Sequence, residues 1–226
     1  MKKTIAYLLF LVIFIGELFG DILEIRGMVY VFKPLIMVWV GLFFLSFSSG
    51  IEKNVVRPAI LAFLFSWFGD IFLMFSGDNF SFFILGLFSF LLAQVSYIIL
   101  FLRTTHLQGN ISYLKKKSFY LIFFVGYGLL VYVLLLPHLD GILKIAVLVY
   151  MLALLGMSAM ALNRFGNVPL SSARFVFAGS VLFVVSDTLI AINKFVVALP
   201  YERVLIMTTY MLAQFLIVRG LLKQYE

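Results

Sequence analysis

Long apolar runs alternate with short gaps that carry charge, glycine or proline along the whole of this sequence. Taking the gaps as loops predicts helices over 5–20, 28–47, 58–76, 80–102, 118–136, 141–162, 173–193 and 202–222. Each run matches the roughly 20 apolar residues that a helix needs to cross a hydrocarbon core of about 30 Å. Segments such as VLLL before Pro137 and AVLVYMLALLGM after Lys144 show no alternation and belong to runs too long for buried strands. Outer-membrane strands would instead read as alternating segments of about ten residues. The pattern therefore predicts an all-α fold, a polytopic membrane bundle of eight transmembrane helices forming a single domain over residues 1–226.

Composition strengthens this picture. Of 226 residues, 64% are apolar and 12% charged, too few charges for an ordinary water-soluble surface. The first run follows Lys2 and Lys3 as a signal peptide would, yet no A-x-A-like cleavage site follows it and Glu17 interrupts it, so a retained first helix is expected. A formal charge of +7 raises the question of nucleic acid. The lysines and arginines, however, sit in the gaps between apolar runs and form no basic amphipathic face, so no nucleic-acid partner is expected.

Those basic residues report orientation. Lys2, Lys3, Lys53, Arg57, Arg103, Lys115, Lys116, Lys117, Arg164, Arg174, Arg219 and Lys223 fall on one side of an eight-helix arrangement, and only Arg26, Lys194 and Arg203 on the other. The positive-inside rule then places both termini in the cytoplasm, as expected of a multi-pass protein of a cell membrane such as a bacterial inner membrane.

Ionisable residues within membrane spans are expensive and face the interior of a bundle, which makes them functional candidates. Four stand out: Lys33, Asp70, Lys144 and Asp187. The order Lys33, Asp70, Gln94 in the first half is matched by Lys144, Asp187, Gln214 in the second. Lys-to-Asp separations are 37 and 43 residues, and Asp-to-Gln separations 24 and 27. This predicts two parallel four-helix repeats, approximately 1–110 and 111–226, around a central polar cavity. A lysine near a helix end can snorkel to the headgroups, so Lys144 and Lys33 also have a bland explanation. An aspartate stem is too short for that, although a structural ion pair would explain it as well. The glutamines serve equally as interhelical glue or as substrate contacts.

Much chemistry is missing. The sequence has no cysteine, no G-x-S-x-G elbow, no H-E-x-x-H helix and no phosphate-binding loop; Gly126-Tyr127-Gly128 lacks the later glycine of a dinucleotide motif. His106 and His138 fall at loop or helix-end positions and are expected to be solvated. No metal and no cofactor is expected. A carboxyl pair remains, able to protonate one group and activate a water for another. Such equipment fits a proton-coupled transporter or sensor of a small amphipathic solute as well as a hydrolase, whereas a purely structural subunit leaves the paired aspartates unexplained.

Four stretches carry a resemblance that goes further: FSWFGDIFLM (65–74), LGLFSFLLAQVSYIILF (85–101), GSVLFVVSDTLIAINKF (179–195) and MTTYMLAQFLI (207–217), with Lys33-Pro34-Leu35 as a weaker match. In these the chain resembles the YhhN-type lysoplasmalogenase family of membrane hydrolases. The resemblance implies hydrolysis of the vinyl ether bond of a lysoplasmalogen to a fatty aldehyde and a glycerophospho-alcohol such as glycerophosphoethanolamine or glycerophosphocholine. It implies catalytic Asp70 and Asp187, lined by Lys33, Tyr97, Ser186, Tyr210 and Gln214. Gln94 departs from the family pattern, in which a histidine is expected; Gln94 and Lys144 enter the candidate substrate-binding set through the repeat alone. The implied partners are a lysophospholipid substrate and membrane lipid, with no obligate protein partner.

Overall fold

A computed structural model describes residues 3–106 and 112–226; Lys2 and the side chain of His106 lie outside the described part. The described residues form helices and turns without a strand: α1 (Lys3–Ile22), α2 (Arg26–Phe47), α3 (Lys53–Met74), α4 (Phe80–His106), a short α5 (Tyr113–Lys116), α6 (Tyr120–Leu135), α7 (Gly141–Leu162), α8 (Leu170–Phe195) and α9 (Glu202–Lys223). Eight of them are long and apolar enough to cross a membrane. Their outer faces expose large apolar side chains, among them Leu42 on α2, Ile122 and Leu130 on α6 and Leu152 on α7. In water such a surface would drive aggregation, whereas against lipid it is the expected exterior.

Several helices outrun their predicted bounds. Pro58 marks a natural helix start, yet α3 begins five residues earlier at Lys53. Proline lacks the N–H that Asn54 C=O would accept within the helix. Arg103 Nη1, from the end of α4, donates to that carbonyl at 2.5 Å, which satisfies it and lets the extra turn persist. The four-residue α5 lies in the lysine-rich gap where no helix was predicted; Asn163 Oδ1 anchors it, accepting from Ser112 Oγ at 2.5 Å and Leu114 N at 3.0 Å.

The closest packing joins α3 to α4 and α8 to α9. Both contacts depend on glycine. A methyl group at Gly69 would come within 2.6 Å of the Phe90 ring, and one at Gly179 within 2.7 Å of the Ala213 carbonyl oxygen. These two hairpins and α2 enclose the main core, which includes Phe43, Phe63, Tyr97, Phe183 and Met211. α1 adds Ala6 and Phe10 to that core and is held there by Trp39 Nε1 donating to Ala6 C=O at 2.9 Å and by Phe10 stacking on Phe215 at 4.9 Å. The most lipid-exposed span is α6, which rests chiefly on α7.

Basic residues gather at one end of the bundle. There Glu226 pairs with Lys3 at 2.5 Å and with Arg219 at 2.7 Å. Arg164, fully buried in the α7–α8 turn, donates to Thr104 Oγ1, to Ser172 Oγ at 2.9 Å and to Gln224 Oε1 at 2.9 Å. It thereby ties the ends of α4, α8 and α9 together, and burial pushes its guanidinium down to about 10.

Candidate active site

Asp187 sits in the middle of α8, buried, and receives two hydrogen bonds on one oxygen. Tyr150 OH from α7 donates to Oδ2 at 2.5 Å, and Gln94 Nε2 from α4 donates to the same atom at 3.1 Å. Gln94 is wholly buried and its Oε1 has no hydrogen-bond partner. At the next residue of α8, Thr188 Oγ1 lies 2.8 Å from Tyr127 OH of α6.

Asp70, on α3, has a separate set of neighbours. Tyr210 OH of α9 donates to its Oδ2 at 2.8 Å. One turn deeper, Gln214 accepts from Tyr97 OH at 2.6 Å and donates to Ser66 Oγ at 3.4 Å, all three residues being fully buried. The rings of Phe90, Phe183 and Tyr210 meet edge to face with centroids 5.7–6.1 Å apart, forming a wall beside Asp70. Asp187 is within electrostatic reach of Asp70.

Three voids surround this centre. A narrow apolar slot of about 50 Å³ runs between α4, α6, α7 and α8, lined by Phe90, Tyr127, Met151, Leu155 and Ile190 among others, with Asp187 and Tyr150 in its wall. At one end it adjoins a vestibule of about 350 Å³, the two sharing Leu73, Phe83 and Ile190. Four cations, Arg26, Lys33, Lys194 and Arg203, and three carboxylates, Asp21, Asp78 and Glu202, line the vestibule. None of these seven forms an ion pair within 4.0 Å; among the described residues such pairs involve Glu226 alone. Toward the basic end, the slot shares Tyr127 and Leu155 with an apolar groove of about 500 Å³ between α5, α6, α7 and α8.

The candidate residues fall into distinct places. Lys33 is partly buried in the vestibule wall and acts at a distance on Asp70, Glu17 and Asp21. Ser186 Oγ donates to Ile206 C=O at 3.1 Å, a tie between α8 and α9 that reaches neither aspartate. Lys144 is exposed near the start of α7, and its contact is through its backbone, Tyr132 OH donating to its carbonyl at 3.3 Å. His138 is exposed in the 3-10 turn Leu136–His138. Among the described residues no three His, Asp or Glu side chains are grouped to hold a metal ion.

Residues 28–221, which contain both aspartates and all their hydrogen-bond partners, match the sequence profile of the YhhN family. The chain belongs to the YhhN family. Among curated proteins it is similar to human lysoplasmalogenase TMEM86A, 28% identical over 206 residues covering 85% of this chain and 77% of that protein. Bovine lysoplasmalogenase TMEM86A is 29% identical over 201 residues, with the same coverage of 85% and 77%. Pig lysoplasmalogenase TMEM86B is 42% identical over 86 residues, which cover 38% of this chain and 34% of that protein. No solved structure matches.

Three residues of this YhhN chain escaped sequence reasoning. Tyr150, and not the lysine six residues before it, is the α7 group at Asp187. One tyrosine among 11 in an apolar chain gives no signal. Glu17 reads as an interruption of the first apolar run but is wholly buried with neither carboxyl oxygen hydrogen-bonded. Asp21, expected in the first loop, lies in the last turn of α1, buried, with Oδ2 unpartnered. An acidic pair four residues apart inside an apolar run was the available signal, since it puts both carboxyls on one helix face.

Proposed function

We propose that this protein is a lysoplasmalogenase, hydrolysing the vinyl ether of a single-chain glycerophospholipid by carboxyl-based acid and base catalysis. The observation that carries the proposal is the position of Asp187, in the wall of an apolar slot that continues into a charged vestibule. A lysoplasmalogen has a charged headgroup at one end, a hydrocarbon chain at the other, and its vinyl ether at the boundary between them. Seated with its headgroup in the vestibule and its chain in the slot and groove, such a lipid presents that bond to Asp187. Kinship with relatives named lysoplasmalogenase supports the same reading.

The chemistry follows from the hydrogen bonds. With Oδ2 of Asp187 accepting from Tyr150 and Gln94, Oδ1 is left to carry the proton. That proton passes to the β-carbon of the vinyl ether and leaves an oxocarbenium ion, which the new Asp187 carboxylate stabilises. Water adds to the cationic carbon and gives its proton to Asp70, forming a hemiacetal. As the hemiacetal collapses, its hydroxyl proton returns to Asp187 and the departing glycerol oxygen takes the proton of Asp70 through an intervening water, which gives one proton and receives another. One water is consumed, aldehyde and glycerophospho-alcohol are released, and both aspartates regain their starting states. Unpaired vestibule cations suit the phosphate, and the carboxylates beside them suit an ammonium headgroup.

The test is release of long-chain aldehyde from lysoplasmenyl lipid by the purified protein, with the saturated ether analogue as a control that lacks the reacting double bond. Asp187→Asn and Asp70→Asn preserve shape and remove the titrating group, and each should lower kcat by about 10²–10⁴. Wild-type protein that releases no aldehyde would refute the proposal; near-normal turnover by both variants would refute the mechanism.

A further inference from the structure

Glu17 has no role in the steps just described, and its position is costly. It is wholly buried in the C-terminal half of α1, and neither carboxyl oxygen accepts a hydrogen bond from any protein group. Buried polar atoms in native proteins almost always have a partner, and ordered water is a common one. The surroundings are built close: methyl groups at Gly16 and Gly20 would come within 2.6 Å of the Phe32 ring and 3.0 Å of Met28 Cβ, so this face of α1 lies directly on α2. Lys33 follows Phe32 and lines the vestibule. Asp21, one turn from Glu17, lines it too and likewise keeps an unpartnered oxygen. Asp21 and Lys33 thus stand at the vestibule, and Glu17, one turn of α1 from Asp21, is within electrostatic reach of Lys33, Asp21 and Asp70.

Hydrolysis consumes one water per turnover, and with substrate seated the slot beside Asp187 is filled by hydrocarbon. Asp70 lines neither the slot nor the vestibule, yet it is the group that must meet the water. We infer that Asp21, Lys33 and Glu17 form the water-access path of the active site, and that Glu17 is its inner station, holding water by its two free carboxyl oxygens and passing it to Asp70. The inference rests on the hydrolase reading. Glu17 and Asp21 lie on α1, which precedes the segment 28–221 matched by the family profile.

A substitution series at position 17 separates this role from its rivals, with kcat and KM for lysoplasmenyl lipid measured beside the melting midpoint of each variant. Holding water requires polar atoms or open space, not charge. Glu17→Gln should keep kcat within about threefold of wild type and Glu17→Ala, which leaves room for water, within about tenfold. Glu17→Leu fills the space with hydrocarbon and should lose about 100-fold or more in kcat, with KM within twofold and a melting midpoint at or above wild type. A purely structural carboxyl predicts instead an active Glu17→Leu, and a charge-based role predicts equal losses in Gln, Ala and Leu. Either result overturns the inference while leaving the hydrolase reading intact. Wild-type protein inert toward lysoplasmenyl lipid overturns both.

Discussion

Replacing Tyr150 by phenylalanine removes one oxygen and leaves the ring in the wall of the slot, so it isolates the hydrogen bond to Asp187. In the proposed first step the Asp187 carboxyl gives up its proton, and a donor on Oδ2 stabilises the carboxylate as it forms. That interaction is stronger in the transition state than in the ground state, which is the condition for an effect on kcat. Hydrogen bonds to charged groups contribute about 1.5–3 kcal/mol, and about 1.4 kcal/mol corresponds to tenfold in rate, giving a range of about 10- to 150-fold. Gln94 still donates to the same oxygen at 3.1 Å when the 2.5 Å bond from Tyr150 is gone, which places the expected loss near the lower end, about tenfold. Gln94→Met should cost less than Tyr150→Phe because its bond is longer, and the double variant should lose more than the product of the two, since neither donor then covers for the other. The assay is steady-state aldehyde release over a range of lysoplasmenyl lipid concentrations. KM should stay within twofold, because the phenol touches the Asp187 carboxyl and does not line the vestibule proposed to hold the headgroup. A Tyr150→Phe protein with wild-type kcat would show that Asp187 does not develop charge at Oδ2 in the rate-limiting step, and the assignment of Asp187 as the acid would fall with it.

Two further predictions concern the scaffold. Arg164→Ala strands Thr104, Ser172 and Gln224 at the far end of the bundle and should destabilise the protein by about 3 kcal/mol or more, seen as a lower melting midpoint in detergent, while the kcat of the folded fraction is unchanged; an unshifted midpoint would refute its bracing role. Reporter fusions at either terminus or within Lys115–Lys117 should report cytoplasm, and fusions between Lys194 and Arg203 the opposite compartment, as the basic end of the bundle demands; a carboxyl terminus outside would overturn that orientation.

The spans were legible because lipid imposes a length and an exclusion of charge on every helix, and the gaps in this sequence carry the charge. Errors arose where a local rule met a distant partner. Pro58 looked like a start, and nothing nearby in the sequence says that Arg103 would satisfy Asn54 from another helix. The aspartates were legible for the same reason as the spans, as charges with no business in hydrocarbon. Their companions were less so: Tyr97 and Tyr210 came from family resemblance alone, Gln214 from the repeat and the resemblance, and Tyr150 from neither resemblance nor charge. Lys144 was assigned by order along the chain, but α7 turns its side chain outward and a residue six positions on reaches Asp187. Order in sequence fixes depth in a bundle, and facing depends on how each helix is rotated against its neighbours.

Rotation also explains why two aspartates on similar helix hairpins cannot share one task. Asp187 faces the region where α6 stands away from the core, and the loose packing there leaves the slot that a lipid chain can occupy. Asp70 faces the tight seam of α3, α4 and α9, where Phe90, Phe183 and Tyr210 fill the space and no chain can enter. A proton destined for carbon must come from a carboxyl that touches the substrate, which is why the proposed mechanism makes Asp187, the one in the slot wall, the acid. A carboxyl beside packed aromatic rings and outside the slot can take part only through something as small as water, which is why the proposed mechanism gives Asp70 the part of base. With those rings packed beside Asp70 and the slot given over to the lipid chain, the water path proposed above approaches Asp70 from another side, through the α1 face where Glu17 lies buried without a partner.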